Sequence, residues 1–304
     1  MEKKVKAAKV NRNKPKKVEL SDDDLRRLQL NLLEMLIEID RVCRKYNIKY
    51  SLDGGTLLGA VRHGGFIPWD DDVDVIMRRA EYQKFYRACQ KELDKKRFFL
   101  QEYRTDRYYR WGYEKLRRKN TEFVRLGQEH LKSVGGIFID IFVVDNVPDH
   151  PAVRRLHLFA CFMIRKLLYA ELGMRNADSL FLRRWYRMLY RMIPRDVIFQ
   201  WRNRIAARCN KKRTELVRHM TYPYVLSRYG MPGECFDEMT DIKFEGYTFR
   251  AFRKYDKYLT ALYGDYMTLP PKEKQKAHLE VSKIKLLDPK DLFSEEEWKR
   301  LCKK

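Results

Sequence analysis

Acid is scarce in this chain relative to base, and several common frameworks are missing altogether. Across 304 residues, 65 Lys and Arg stand against 42 Asp and Glu, a formal charge of +23 with a pI near 9.7. That imbalance excludes an acidic solvating protein and points to an anionic partner: nucleic acid, a membrane surface or a polyanionic glycan. The six cysteines (43, 89, 161, 209, 235 and 302) contain no CxxC pair. This argues against a zinc site or a disulfide framework, and for a reduced chain inside the cell. No apolar run approaches the roughly 20 residues of a membrane span. No apolar h-region follows the N-terminal lysines, so the start does not read as a signal peptide. The expectation is a cytoplasmic protein, with peripheral attachment to the inner face of the membrane left open. Hydrophobic residues at 44% and aromatics at 13% suffice for one large domain or two.

The most informative stretch is 50–77, YSLDGGTLLGAVRHGGFIPWDDDVDVIM. Tyr50-Ser51-Leu52 reads as a short strand leading into Gly54-Gly55, where the backbone can approach a ligand closely. Thr56 is expected to start and cap a helix that carries Leu57, Leu58 and Val61 on its apolar side and stops at Gly64-Gly65. A helix N-terminus behind a glycine turn suits phosphate; a plain tight turn reads as well from the glycines alone. Asp70 to Met77 is expected as a strand, with Val73, Val75 and Met77 on the core side. Alternation then places Asp70, Asp72 and Asp74 on the opposite face. Three carboxylates on one edge repel unless a cation sits among them, and hard oxygen ligands suit Mg²⁺ or Mn²⁺ bridging to phosphates. A solvated acidic turn is the competing reading.

Further along, Ser21-Asp22-Asp23-Asp24 reads as a capping box opening a helix. Its stripe Leu25, Leu28, Leu32, Met35, Ile39, Val42 faces the core. Arg78–Leu93 reads as a helix, and strands are expected at 98–100, 108–116 and 121–124. Lys115, Arg117 and Arg118 would lie on a sheet edge, offering cations to phosphate or simply being solvated. The run 137–144 is nearly all apolar and should be buried on both faces, with Asp140 in its middle. A buried carboxylate must be ion-paired, protonated or on a metal. Residues 241–249 read as a hairpin around Glu245-Gly246, and His278 as a lone structural histidine.

The segment GTLLGAVRHGGFIPWDDDVDV resembles the signature of the LicD family, related to fukutin-type enzymes, within the nucleotidyltransferase-fold superfamily. YGDYMTLPPKEKQKAH resembles the C-terminal part of LicD proteins, so the resemblance covers about 25–145 and 235–280. It implies an α/β (α+β) fold: a nucleotidyltransferase-like mixed sheet flanked by helices. It also implies a third carboxylate on a later strand, for which Asp140 is the first candidate and Asp145 the second. The implied reaction is metal-dependent transfer of a phospho-alcohol, such as phosphocholine, from a CDP-alcohol donor to a glycan acceptor in a cell-surface polymer such as lipopolysaccharide or teichoic acid. Asp72 and Asp74 would bridge metal to the diphosphate, with Asp140 completing the site and helping to deprotonate the acceptor. Asp70 would bind metal through water or orient Arg62. Gly54, Gly55, Thr56, Arg62 and Lys115 would hold phosphates, and His63 either joins them or caps its helix. Two alternatives stand: a nucleotidyltransferase adding NMP to RNA, protein or a small molecule, and a non-catalytic membrane- or glycan-binding protein on the same fold.

The organisation that follows is a disordered basic tail (1–20), a catalytic core (21–150), a basic block (151–220) and a C-terminal part completing the core (221–304). The block carries seventeen Lys/Arg against four acids. LFLRRWYRMLYRM at 180–192 interleaves arginine with large apolar residues, as an interfacial membrane helix does; an ordinary helical subdomain with a basic outer face fits equally. Nucleic acid is the weakest reading, since no recognised motif accompanies the charge.

Overall fold

The computed structural model describes residues 15–221, 229–277 and 279–302. His278 and residues 1–14 of the expected tail lie outside the described residues. The rest of that tail is not free: Val18 donates its N–H to Val281 O at 2.8 Å.

Helix α1 (Asp22–Lys45) opens on the expected cap, Ser21 Oγ accepting the Asp24 N–H at 3.1 Å. It is not one-sided, because every residue from Leu28 to Leu36 is buried. Its polar members are matched by distant partners. Gln29 donates to Asp70 O at 3.0 Å, Asn31 to Leu287 O at 3.1 Å, and Glu34 accepts from Arg118 at 2.7 Å. The helix is therefore a central strut against which the sheet and the acidic loop are packed.

The chain then runs through β1 (Ser51–Leu52), α2 (Gly54–His63), β2 (Asp74–Arg78), α3 (Arg79–Glu92), β3 (Phe98–Gln101), β4 (Glu114–Arg118), β5 (Glu122–Arg125) and β6 (Phe138–Asn146). The basic block folds as α4 (Pro151–Leu168), α5 (Ala170–Asn176), α6 (Leu180–Met192) and α7 (Arg195–Cys209). After it come β7 (Leu216–His219), β8 (Met231–Pro232), the hairpin β9 (Met239–Phe244) and β10 (Tyr247–Phe252), α8 (Tyr255–Tyr263), β11 (Val281–Lys285) and α9 (Glu295–Leu301). The result is a mixed α/β fold of the α+β kind.

The main sheet runs β1-β2-β6-β4-β3, and β7 joins the far end of β6 and carries β8. Strand β6, wholly buried as its composition requires, lies parallel to β2 and antiparallel to β4 and β7. The parallel register sets Asp74 beside Asp140, and the antiparallel one sets Lys115 across from Asp140. Three chemistry-bearing residues thus share one rung across three strands.

Several expectations are corrected here. Strand β2 begins at Asp74, so residues 70–73 form a loop rather than an alternating edge. Residues 108–113 are turns, and β4 starts only at Glu114. Strand β4 is internal, and Lys115, Arg117 and Arg118 are all buried rather than solvated at an edge. The α4–α7 block has its own small core, Ile164, Leu167 and Leu168 against Ile198 and Phe199. Phe199 also stacks on Tyr103 of the main body, ring centroids 4.7 Å apart.

Candidate active site

The glycine turn acts through closeness. Asp53, directly before it, caps α2 by accepting the Gly54 N–H at 2.8 Å. The helix therefore starts at Gly54, two residues before Thr56. Gly54 sits at φ +49°, where L side chains are strained. A Cβ on Gly55 would come within 2.8 Å of Asp70 Oδ2. The second glycine lets a carboxylate lie against the helix N-terminus, where free N–H groups and the dipole favour negative charge. Thr56 serves the fold, because its Oγ1 accepts the Asp74 N–H at 2.9 Å and locks the start of β2 to α2.

The loop that enters β2 gathers the carboxylates of Asp70, Asp71 and Asp72, whose ligand atoms lie within 4.8 Å of one another. Asp71 is anchored by the Leu279 N–H at 2.8 Å. Strict alternation would have turned Asp71 away; the loop turns it in. Asp74 follows with its carboxyl pushed well above the ordinary carboxylate range, first by burial and then by the fields of Asp72, Asp140, Asp53 and Asp70. Burial likewise pushes Asp53 up to about 6, against the hydrogen bonds it accepts from Tyr258 and Gly54. This density of negative charge, carried by hard oxygen donors, fits Mg²⁺ or Mn²⁺.

Cations border the acid on the Asp140 side. Lys115 Nζ pairs directly with Asp140 and lies over the Phe138 ring at 3.4 Å. Burial lowers its pKa to about 7, with Arg125 and Arg117 adding to the fall and Asp140 opposing it. Arg125 was not singled out from sequence. Burial would lower its pKa, but Tyr113, Asp140, Asp72 and Asp74 together raise it. It thus senses Asp72, Asp74 and Asp140 together, and its buried Nε has no hydrogen-bond partner among the described residues.

Other expected residues make contacts of their own. Arg62 donates to Tyr266 O at 3.0 Å, tying α2 to the segment after α8. His63 is exposed in the last turn of α2, edge-on to Trp69 at 6.5 Å. Asp145 is structural: Arg79 grips both its oxygens at 2.6 Å and Asn210 adds a third bond at 2.6 Å. Of the residues missed, Asp53 had a sequence signal, an Asp directly before a helix. Arg125 had none.

A helix opened by glycines, facing carboxylates on two neighbouring parallel strands, defines a transferase core of the nucleotidyltransferase type. The model of the LicD/FKTN/FKRP nucleotidyltransferase domain matches residues 47–146. The lipopolysaccharide cholinephosphotransferase LicD of Haemophilus influenzae is 32% identical over 268 residues, 84% of this chain and 95% of that protein. The human ribitol 5-phosphate transferase FKRP is 64% identical over 28 residues, 9% of this chain and 6% of that protein. The chain belongs to the LicD family and is a LicD-type phosphotransferase.

Proposed function

We propose that the protein transfers a phosphorylated alcohol, phosphocholine being the first to test, from a CDP-activated donor to a hydroxyl of a glycan. The observation that carries this reading is the near full-length similarity to a lipopolysaccharide cholinephosphotransferase. In this reading Asp70, Asp72, Asp74 and Asp140 hold Mg²⁺ or Mn²⁺, with Asp71 beside them. The bound metal would offset charge on the donor's diphosphate. Arg125 supplies fixed positive charge to the same phosphates from the Asp140 side, and Lys115 adds to it when protonated. A lysine whose pKa is about 7 also exchanges its proton readily at working pH, so the Lys115–Asp140 pair can accept the proton leaving the acceptor hydroxyl. The turn of Gly54 and Gly55 lets Asp70 lie close to the start of α2.

The test is CMP release from CDP-choline with Mg²⁺ and a lipopolysaccharide core oligosaccharide. Chelation with EDTA should lower turnover on the order of 10³-fold, consistent with several kcal/mol of charge stabilisation, and Mg²⁺ should restore it. Pyrophosphate release from an NTP, with no CMP from CDP-choline, would replace this reading by nucleotidyl transfer.

The helical block supports attachment to an anionic lipid surface. Among the described residues, no helix is long and apolar enough to cross a membrane. Yet α6 exposes Phe181 (74%), Trp185 (47%), Met188 and Met192 along one stripe, with arginines on its flank. Interfacial helices have this composition. Each large side chain contributes roughly 1.5–3 kcal/mol when buried. Phe181→Ser with Trp185→Ser should therefore lower co-sedimentation with phosphatidylglycerol vesicles at least about ten-fold. Unchanged pelleting would refute the attachment.

A further inference from the structure

Beside the acidic site, α5 and α6 close over the loop after β5 to form a cleft of about 1010 Å³. Its wall carries His130, Arg175, Arg183, Arg184 and Arg187, against Glu129 as the one carboxylate lining it among the described residues. None of these four arginines forms an ion pair among the described residues. Arg183 is held in place, its Nε donating to Ala177 O at 2.6 Å. Arg184 and Arg187 are exposed. The buried Nε2 of His130 has no hydrogen-bond partner among the described residues. The far wall is fixed by Asn176, whose Nδ2 donates to Gly127 O at 3.2 Å.

Four arginines line one space, and planar two-pronged donors are what phosphate groups recruit. The volume is at the upper end of small-molecule sites, with room for several sugar units. Among the described residues, no Phe, Tyr or Trp lines the cleft, so it lacks the stacking platform that single-stranded nucleic acid uses. The cleft shares a wall residue with a pocket next to Lys115. Glu129 lines both the cleft and this smaller pocket of about 90 Å³ walled by Lys115, Arg125 and Phe138, and Lys115 is the residue paired with Asp140.

We propose that this cleft is the subsite for the acceptor, binding phosphate groups of the glycan so that its free hydroxyl reaches the carboxylates. The inference rests on the glycan-transfer reading above. It assigns the arginines of α5 and α6 to the acceptor and leaves the donor to Lys115 and Arg125.

The experiment is calorimetric titration of the whole chain, in EDTA and without donor, with two probes. One is native lipopolysaccharide core oligosaccharide and the other is the same preparation dephosphorylated. The native form should bind at least ten-fold tighter. Arg184→Gln with Arg187→Gln, both at exposed positions, should erase that difference. Asp74→Asn should leave it intact, so a failure of transfer chemistry is not mistaken for a failure of the subsite. Equal affinity for the two probes in the wild type overturns the proposal. So does displacement of the oligosaccharide by phosphatidylglycerol vesicles that is lost in the arginine variant, which would make the cleft a lipid-headgroup site. If the oligosaccharide binds as stated yet CDP-choline yields no CMP, the subsite stands and the donor reading fails.

Discussion

Asp74→Asn should abolish transfer and, in the absence of divalent metal, make the protein more stable. The two effects have one origin. Asp74 is closely surrounded and lies in the fields of Asp72, Asp140, Asp53 and Asp70, which raise its pKa. An unfolded aspartate titrates near 3.9. Between that value and the raised folded one, the folded state holds the extra proton. Stability from this group is full below the unfolded pKa and is lost as pH rises through the folded pKa. In EDTA, as pH rises above the unfolded pKa, wild type must either hold a proton on Asp74 or carry its repulsion, and the neutral amide does neither. Melting temperatures should converge as pH falls to about 4 and separate as pH rises from there, with the variant higher. Mg²⁺ should raise the melting temperature of wild type and leave the variant nearly unmoved. Transfer should fall by at least about 10²–10³, the usual cost of removing one preorganised electrostatic group. Asp145→Asn is the contrasting control, because it strips the half-buried Arg79 of a two-pronged partner and should destabilise. A less stable Asp74→Asn protein in EDTA would mean that no electrostatic strain is held in this cluster.

The site divides cleanly into what local sequence shows and what it does not. The glycine turn, the helix behind it and the Asp72/Asp74 pair are contiguous, so spacing and propensity reveal them. Asp140 is legible because a lone carboxylate in an apolar run demands a partner. Which partner is a matter of strand order, and strand order is non-local. The rung that sets Lys115 and Asp74 on either side of Asp140 joins residues from positions 74, 115 and 140. Reading Lys115 as an edge cation failed for the same reason. Nothing in residues 114–118 says that β3 covers one side of the strand and β6 the other.

Periodicity erred where it was pressed too far. Alternation across 70–74 presumed a strand, but the Asp70 N–H bonds back to Ile67 O at 2.9 Å in a turn. That turn is why Asp71 joins the cluster. The stripe of α1 marks its apolar face correctly and misses Gln29, Asn31, Glu34 and Glu38, which are buried as well. Arg118 and Arg97 both bond to Glu34 from far along the chain. By contrast, the hairpin at Glu245-Gly246 is purely local and stands as expected, both residues at positive φ.

Arg202→Met should produce the largest loss of stability of any single change in the helical block. Arg202 on α7 is 2% exposed, and its Nη2 donates to Glu114 Oε1, itself buried on β4, at 3.0 Å. Burial raises the Glu114 pKa, and the arginine is the first of the charges that oppose the rise. Removing one member of such a pair leaves the other charge without compensation inside the protein, typically about 3–5 kcal/mol. For a chain of this size the melting temperature should fall on the order of 10 °C. Arg202→Met with Glu114→Gln should recover most of the loss, since no buried charge is then stranded. The pair also ties the block to the chemistry. Glu114 immediately precedes Lys115, so the contact that holds α7 against the sheet bears on the lysine paired with Asp140. In the single variant the fall in melting temperature should come with weaker transfer even at temperatures where the protein remains folded. An unchanged melting temperature would show that α4–α7 stands apart from the sheet, supported by its own core of Ile164, Leu167, Leu168, Ile198 and Phe199.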